Sequence, residues 1–424
     1  MLDLQDVRLR PEAYQDACRK KRITFDVSAF LDLDSKRREQ LQRTEELRAK
    51  QKSLSKDLPT LSGEEQVKLK EELKELSQLV KTSDLSLSEL TISWEREQLF
   101  IPSIPLDEVP EGKDDSENLE VRRVGSPRVF GFEPKDHVDL GEGLDLFDIE
   151  RGVKIAGARN YFLKGDGARL HHAALSYAMD FISKRGFTLF DPPHIVNYKA
   201  MMGTGYFPGG EDMAYHLDDR DEGSYLIGTS EVPVAAYHIG ETLDISELPK
   251  RYAGYSPCYR REAGTYGKDT RGLYRVHQFY KVEQVVICEN NAEISRSFHN
   301  ELLNNAEEML QSLELPYRVV AVCTGDMGQG QVFKHDIETW MPSRNAYCET
   351  HSCSTMYDFQ ARRLNLRYKE KEGKPKFCHT LNNTLLASPR FLIPLFENHQ
   401  EEDGSIRIPE VLRPYMGGAS HIKN

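Results

Sequence analysis

Two stretches decide how this chain is read: Tyr259-Arg260-Arg261-Glu262-Ala263-Gly264, and shortly after it Asp269-Thr270-Arg271-Gly272-Leu273-Tyr274-Arg275-Val276-His277-Gln278-Phe279. A strand, a glycine-bearing loop and a returning strand would bring Arg260, Glu262, Arg275 and Phe279 around one cleft. Arginine holds phosphate or carboxylate as a two-pronged donor. A flat ring such as Phe279 can stack on a nucleobase. The pattern therefore points to a nucleotide site, although these residues alone leave ordinary surface ion pairs equally open.

Outward from this motif, the chain from about residue 125 reads as mixed α and β. Helices are expected at about 166–185 and 291–313. Tyr225-Leu226-Ile227, residues 281–287 and residues 317–322 are short β-rich runs and read as strands. Strands joined by short turns suggest an antiparallel sheet flanked by helices, an α+β body. There is no internal repeat, no G-x-G-x-x-G and no P-loop motif, so neither a Rossmann nor a Walker-type phosphate site is indicated. The tail after Tyr415 is short and Gly-rich and is expected to fray.

The N-terminal hundred residues have a different composition. An opening segment to about residue 26 carries apolar Leu4, Val7, Leu9 and Tyr14. From about 27 to 100, Lys, Glu, Arg, Gln and Leu dominate. Leu33, Leu47, Leu54 and Leu58 share one seam, filled out by Arg37, Thr44 and Gln51. After a break at Pro59-Thr60-Leu61-Ser62-Gly63, a second seam follows: Leu69, Leu73, Leu76, Val80, Leu87, Leu90 and Trp94. Steps of three and four mark the a/d pattern of a coiled coil. Two helices of roughly 30 residues around that break predict an antiparallel hairpin about 45 Å long. Lys36, Arg37, Arg38, Arg43, Arg48, Lys50, Lys52 and Lys56 make the first helix basic. Periodicity alone favours a solvated charged face; the sharper reading is a surface that tracks a phosphate backbone. Pro102, Pro105 and Pro110 end the arm, and residues 106–124 read as an acidic linker.

The net charge is −12 over 424 residues, so a polyanion would have to be met by local basic patches. The seven scattered cysteines argue for a reduced compartment rather than a disulfide framework. Cys348, His351 and Cys353 lack a second ligand pair at zinc spacing. His351 beside Ser352 is a poor hydrolase pair, because neighbours on a strand point to opposite faces. No signal peptide and no membrane-spanning run are evident, which makes the cytoplasm the expected compartment.

Arg260-Arg261-Glu262, then Arg275-Val276-His277-Gln278-Phe279, with Thr380-Leu381-Asn382-Asn383-Thr384 and Pro389-Arg390 downstream, resembles the class II aminoacyl-tRNA synthetases. Thr229-Ser230-Glu231-Val232-Pro233, Lys281-Val282-Glu283-Gln284 and Glu349-Thr350-His351-Ser352-Cys353-Ser354 narrow the resemblance to the seryl-tRNA synthetases of bacterial type. It spans essentially the whole chain. It implies an N-terminal tRNA-binding domain (1–105, arm about 27–100), a linker (106–124) and a class II catalytic domain (125–424).

The implied activity is ATP-dependent ligation of serine to tRNA(Ser), with tRNA(Sec) a second candidate, in a cytoplasmic homodimer using ATP and Mg²⁺. By the same resemblance Arg260 and Arg390 carry catalysis. The ATP set is Arg260, Arg261, Glu262, Arg275, Val276, Phe279, Glu349, Thr350, His351, Ser352 and Arg390, with Glu349 and Ser352 holding Mg²⁺. Thr229, Ser230, Glu231, Arg260, Glu283 and Thr384 would surround serine. Arg37, Arg38, Arg43, Arg48 and Lys52 would meet tRNA, the arm of one subunit presenting it to the active site of the other. Residues 187–193 resemble the family's dimer-forming motif. Tyr259 stands where Phe is frequent, and Pro208-Gly209-Gly210 replaces a bulkier stretch; neither removes an implied contact. A ligase charging a carrier protein is disfavoured by the intact arm, and a silent paralogue by the retained Arg260, Glu262, Glu283 and Arg390.

Overall fold

The computed structural model describes residues 2–218, 223–264 and 271–423; Asp269 and Thr270 of the opening motif lie outside them. Two compact units divide the chain, one ending at Ile104 and the other beginning at Pro105.

In the first unit, helices α1 (Leu4–Leu9) and α2 (Pro11–Lys20) precede two long ones, α3 (Val27–Asp57) and α4 (Glu64–Glu97). Pro11 suits the first turn of α2, where its missing N–H satisfies nothing. Asp26 caps α3 by accepting from the Ala29 amide. The break is one short 3-10 turn, Leu58–Thr60, followed by Gly63 at φ 64°, a conformation that favours glycine. At 1.5 Å per residue the 31-residue α3 is about 46 Å long.

The seam between α3 and α4 is not apolar throughout. Thr44 and Ser83 are buried and share a hydrogen bond of 2.7 Å, and the Gln40 amide donates to Ser83 Oγ at 2.8 Å. At the base, Val7, Tyr14, Val27, Phe30 and Ile101 form a small core with Trp94 against it. Asp34, 1% exposed, accepts from Arg8, Arg38 and the Trp94 indole. Three donors on one buried carboxylate make it a fixed joint.

The second unit is built on an eight-stranded sheet. In chain order the strands are β1 (Leu119–Val124), β2 (Thr188–Phe190), β3 (Lys250–Tyr259), β4 (Gln278–Cys288), β5 (Tyr317–Ala321), β6 (Phe333–Met341), β7 (Ala346–Tyr357) and β8 (His379–Ser388). Their spatial order is β1-β5-β6-β7-β8-β4-β3-β2. All neighbours pair antiparallel except β2, which lies parallel to β3 at one edge. The α+β, antiparallel-sheet expectation is thus met, with one parallel edge strand added.

Helices α5 (Gly165–Ser183) and α7 (Ala292–Ser312) supply much of the main core, with α6 (Glu231–Ala235), α8 (Phe359–Leu364) and α9 (Leu392–His399) around the sheet. Leu175, Ala178 and Ile182 of α5 and Leu302, Ala306 and Leu310 of α7 share that core with Val282, Val286, Leu381 and Leu385.

Two expectations need correction. Residues 106–124 are not a free linker: Val109 packs with Val322 and Met327, and Leu119–Val124 pairs with β5. Every residue of β1 but the last is exposed, so no alternation betrayed it. The tail does not fray either. His421–Ile422 pairs with Ile406–Arg407, and Ile422 is buried, because its apolar side chain reaches the core.

Candidate active site

The central strands lay out the site by simple alternation. Successive strand residues face opposite sides. On β4, Val282 and Val286 enter the main core, and the Gln284 amide donates to the Leu302 carbonyl of α7. Phe279, Lys281 and Glu283 therefore face the other way. Glu283 stands opposite Thr384 in the β4–β8 register, and Ser354 of β7 stands opposite Asn382. These residues line one cavity of about 250 Å³, with Thr229, Glu231, Arg260, Glu262, Tyr274, Val276, Gln331, Glu349, Thr350, Ser352, Ala387 and Arg390.

One part of the cavity is cationic and aromatic. The Arg260 guanidinium lies 5.2 Å from the Phe279 ring centre, and its Nε donates to the Gly228 carbonyl at 3.1 Å. Arg390 sits 4.5 Å over the Tyr274 ring and donates to the Tyr274 and Glu349 carbonyls. Glu262 holds a left-handed φ of 51°, rare for a non-glycine residue, and pairs with Arg275 at 2.8 Å. Burial disfavours the charge on Glu349, but Arg390, Lys334, Arg260 and Arg275 outweigh it and hold its carboxyl below the usual range. Asp336 goes the other way, pushed up to about 7 by burial and the Glu349 charge against the pull of Lys334.

The other part is acidic and hydroxylic. Thr384 Oγ1 donates to Glu283 at 3.3 Å, and Lys281 forms an ion pair with the same carboxylate. Burial and the neighbouring Glu283 charge push Glu231 up to about 7, while Lys281, Gln360 and Arg260 pull against them. Its Oε1 accepts from both Gln360 and Asn382.

Of the residues expected from sequence, Thr229, Glu231, Arg260, Glu262, Val276, Phe279, Glu283, Glu349, Thr350, Ser352, Thr384 and Arg390 reach this cavity. Four do not line it. Ser230 is fully buried and donates to the Gly254 carbonyl, where a Cβ on residue 254 would meet Ser230 at 2.9 Å. His351 is locked in the core between Thr350 and the Leu385 carbonyl, and burial pushes it down to about 4. The Arg261 side chain is exposed, while its amide donates to the Met213 carbonyl. Arg275 stands behind Glu262. Tyr274, Lys281, Ser354 and Asn382 were missed although they lie inside quoted motifs; Gln331 carried no readable signal.

On the arm, only part of the expected basic face is unengaged. Arg37 stacks 4.1 Å over Trp94, Arg38 pairs with Asp34, and Arg48 pairs with Asp84. Arg43 and Lys52 are exposed and form no ion pair among the described residues.

Comparison with known proteins agrees with this geometry. The family description "Seryl-tRNA synthetase N-terminal domain" matches residues 1–105, and "tRNA synthetase class II core domain (G, H, P, S and T)" matches residues 215–399. A serine--tRNA ligase of Deinococcus radiodurans is 45% identical over 418 residues, spanning 99% of this chain and 98% of the relative. The chain belongs to the seryl-tRNA synthetase family. A serine--tRNA ligase of Clostridium tetani is likewise 45% identical across the full length of both proteins. Among solved structures, a seryl-tRNA synthetase from Pyrococcus horikoshii complexed with ATP superposes with a TM-score of 0.92 at 37% identity, covering 100% of this chain and 99% of the other. The Naegleria fowleri cytoplasmic serine-tRNA ligase in complex with AMP gives 0.85 at 33% identity, covering 97% and 95%. No helix among the described residues is long and apolar enough to cross a membrane.

Proposed function

We propose that this chain is a serine–tRNA ligase: it activates serine with ATP and passes the seryl group to tRNA(Ser). The observation that carries this is the composition of one cavity, where an arginine- and ring-lined cleft meets a pocket of two carboxylates and a threonine hydroxyl. The first suits a nucleotide and the second a small hydroxylated amino acid.

In this reading, a serine carboxylate oxygen attacks the α-phosphorus of ATP. The bond to the bridging oxygen breaks, and pyrophosphate leaves. The terminal ribose hydroxyl of tRNA then attacks the seryl carbonyl, and AMP leaves. No protein nucleophile is needed, so catalysis is positioning plus neutralisation of spreading charge. Arg260 bridges the α-phosphate and the serine carboxylate. Phe279 supports the adenine, with Arg390 on its other face and Glu262 and Val276 beside it. Glu231 takes the serine ammonium. Glu283 and Thr384 take the hydroxyl, so alanine, which offers none, loses both contacts; Thr229 closes the pocket.

Glu349, ionised beneath Arg390, and the Ser352 hydroxyl are hard oxygen donors in the same cavity and fit Mg²⁺ held jointly with phosphates. Bound there, the ion would neutralise charge on the phosphate oxygens. His351, Ser230, Arg261 and Arg275 support this set from behind or through the backbone, and Thr350 lines the cavity beside Glu349.

The arm serves tRNA in this reading, with Arg43 and Lys52 among its exposed cations that form no ion pair among the described residues. A cytoplasmic homodimer is proposed on the exposed edge of β2, where Leu189 is 42% exposed and the Phe190 ring lies tilted against exposed Tyr237 at 5.0 Å. tRNA(Sec) is a second proposed acceptor.

Serine-dependent ATP–pyrophosphate exchange followed by transfer to total tRNA tests the function. Both should be positive. Exchange without charging would point to a ligase for another acceptor, and no exchange to a silent paralogue.

A further inference from the structure

The Gln360 side chain hydrogen-bonds to one residue of the main cavity lining, Glu231, and both of its amide hydrogens are used. It is 1% exposed. Its amide nitrogen donates to the Thr204 carbonyl at 2.9 Å and to Glu231 Oε1 at 2.7 Å, and its carbonyl accepts from Thr380 Oγ1 at 2.6 Å. One of those partners, the Thr204 backbone carbonyl, only accepts, and the Glu231 carboxylate accepts whenever it is ionised. The nitrogen must face them, because a flipped amide would set its oxygen against the Thr204 carbonyl oxygen, and against the Glu231 oxygen as well in the ionised form. The Thr380 hydroxyl then fixes the carbonyl end. The orientation of this amide is therefore dictated from three elements outside its own helix: the chain beyond Gly203, α6 and β8.

A locked donor constrains its acceptor. Glu231 Oε1 receives a second hydrogen bond, from Asn382 at 2.9 Å. With both amides on one oxygen, Glu231 Oε2 has no protein donor among the described residues, while the side chain lines the cavity. The rotamer and the reactive oxygen of Glu231 are thus selected before any ligand arrives, which is preorganisation of the kind that lowers the cost of binding.

We propose that Gln360 is a positioning residue for amino-acid binding, aiming Glu231 Oε2 at the substrate ammonium through an amide that cannot flip. The inference rests on the serine-activating reading of the cavity. It assigns to the Asp358-Phe359-Gln360 corner a share in substrate affinity, although the hydrogen-bond partners of Gln360 are Thr204, Glu231 and Thr380 and none belongs to the nucleotide part of the cavity. It also makes Thr380 an orienting residue one step further out.

The test is steady-state ATP–pyrophosphate exchange by the full chain, with serine and ATP varied separately. Gln360→Met keeps the volume and removes the amide. It should raise KM for serine about ten-fold, the usual scale for losing a hydrogen bond to a charged group, and leave KM for ATP within about two-fold. Thr380→Val, which frees the amide without touching Glu231, should raise the same constant by a smaller factor and serves if the first variant does not fold. In a Glu231→Gln background, Gln360→Met should add little further, since both changes act on one contact. Equal rises in both KM values, or full multiplication of the two losses, would overturn the proposal in favour of a merely structural role. A wild-type chain without serine-dependent exchange would instead strike the functional reading itself, so the two failures are distinguishable.

Discussion

Lowering the pH from 8 to 6 should weaken serine binding selectively, through Glu231. Burial and the Glu283 charge place its titration at about 7 rather than in the usual carboxylate range. The serine ammonium stays protonated across this window, so only ionised Glu231 makes the charge-assisted contact. For a group titrating near 7, the ionised share falls from about nine-tenths at pH 8 to about one-tenth at pH 6. Apparent affinity scales with the competent fraction, so KM for serine should rise about ten-fold over that range. The assay is pyrophosphate exchange at saturating ATP, with KM for ATP followed in parallel to remove phosphate protonation from the comparison. Glu231→Gln should raise KM for serine at every pH and abolish its pH dependence. A serine KM that stays flat between pH 6 and 8 in the wild type would refute the reasoning, because the carboxylate would then be ionised throughout or not in contact with the substrate.

Three further outcomes are expected. Arg260→Ala removes the guanidinium shared by the phosphate and carboxylate ends of the cavity and should abolish exchange by at least a hundred-fold, with the melting temperature changed little. Joining Thr44 to Ser83 by a short turn, where the two helices touch at 2.7 Å, should keep exchange near wild type and eliminate tRNA charging; charging that survived would remove the arm from tRNA recognition. That cut spares Asp34 and Trp94, which a deletion of 34–94 would take out of the base core. Finally, burial holds His171, His335, His379 and His399 down near 4. Because the unfolded chain protonates them near 6.5, it binds more protons than the folded one between about 6.5 and 4. Their stabilisation is complete above that window and is lost as the pH falls through it, by up to about 1.4 kcal/mol per pH unit for each histidine. Denaturant midpoints measured from pH 7 to 4.5 should drop steadily; constant midpoints would show that these side chains are hydrated.

What could be read from the sequence was what repeats or clusters locally. The a/d seams gave the hairpin and its break, since Leu69 and Leu76 fall where a period of 3.5 puts them and both are buried. The motif residues gave the cavity because strand alternation turns short spacings into a shared face: Phe279, Lys281 and Glu283 are two apart. Signals failed where burial depends on distant partners. Residues 119–124 lack an apolar face and became a strand only because β5 offers an unpaired edge. Ser83 and Thr44 look like polar interruptions of separate seams until they meet. Ser230 and His351 sit inside motifs but on the wrong side of their strand or turn, so a motif read as a block over-assigns them. Gln331 and Gln360 reach Ser354 and Glu231 from loops and helices whose placement no local pattern encodes.

The central claim is that this cavity makes seryl-tRNA, and the measurement that bears on it most directly identifies the acceptor. Total tRNA is incubated with the full chain, ATP, Mg²⁺ and serine, uncharged 3′ ends are destroyed with periodate, and the protected molecules are sequenced. The account predicts protection of the serine-accepting tRNAs, dependent on both ATP and serine. Protection of no tRNA, or of tRNAs that accept other amino acids, would contradict it.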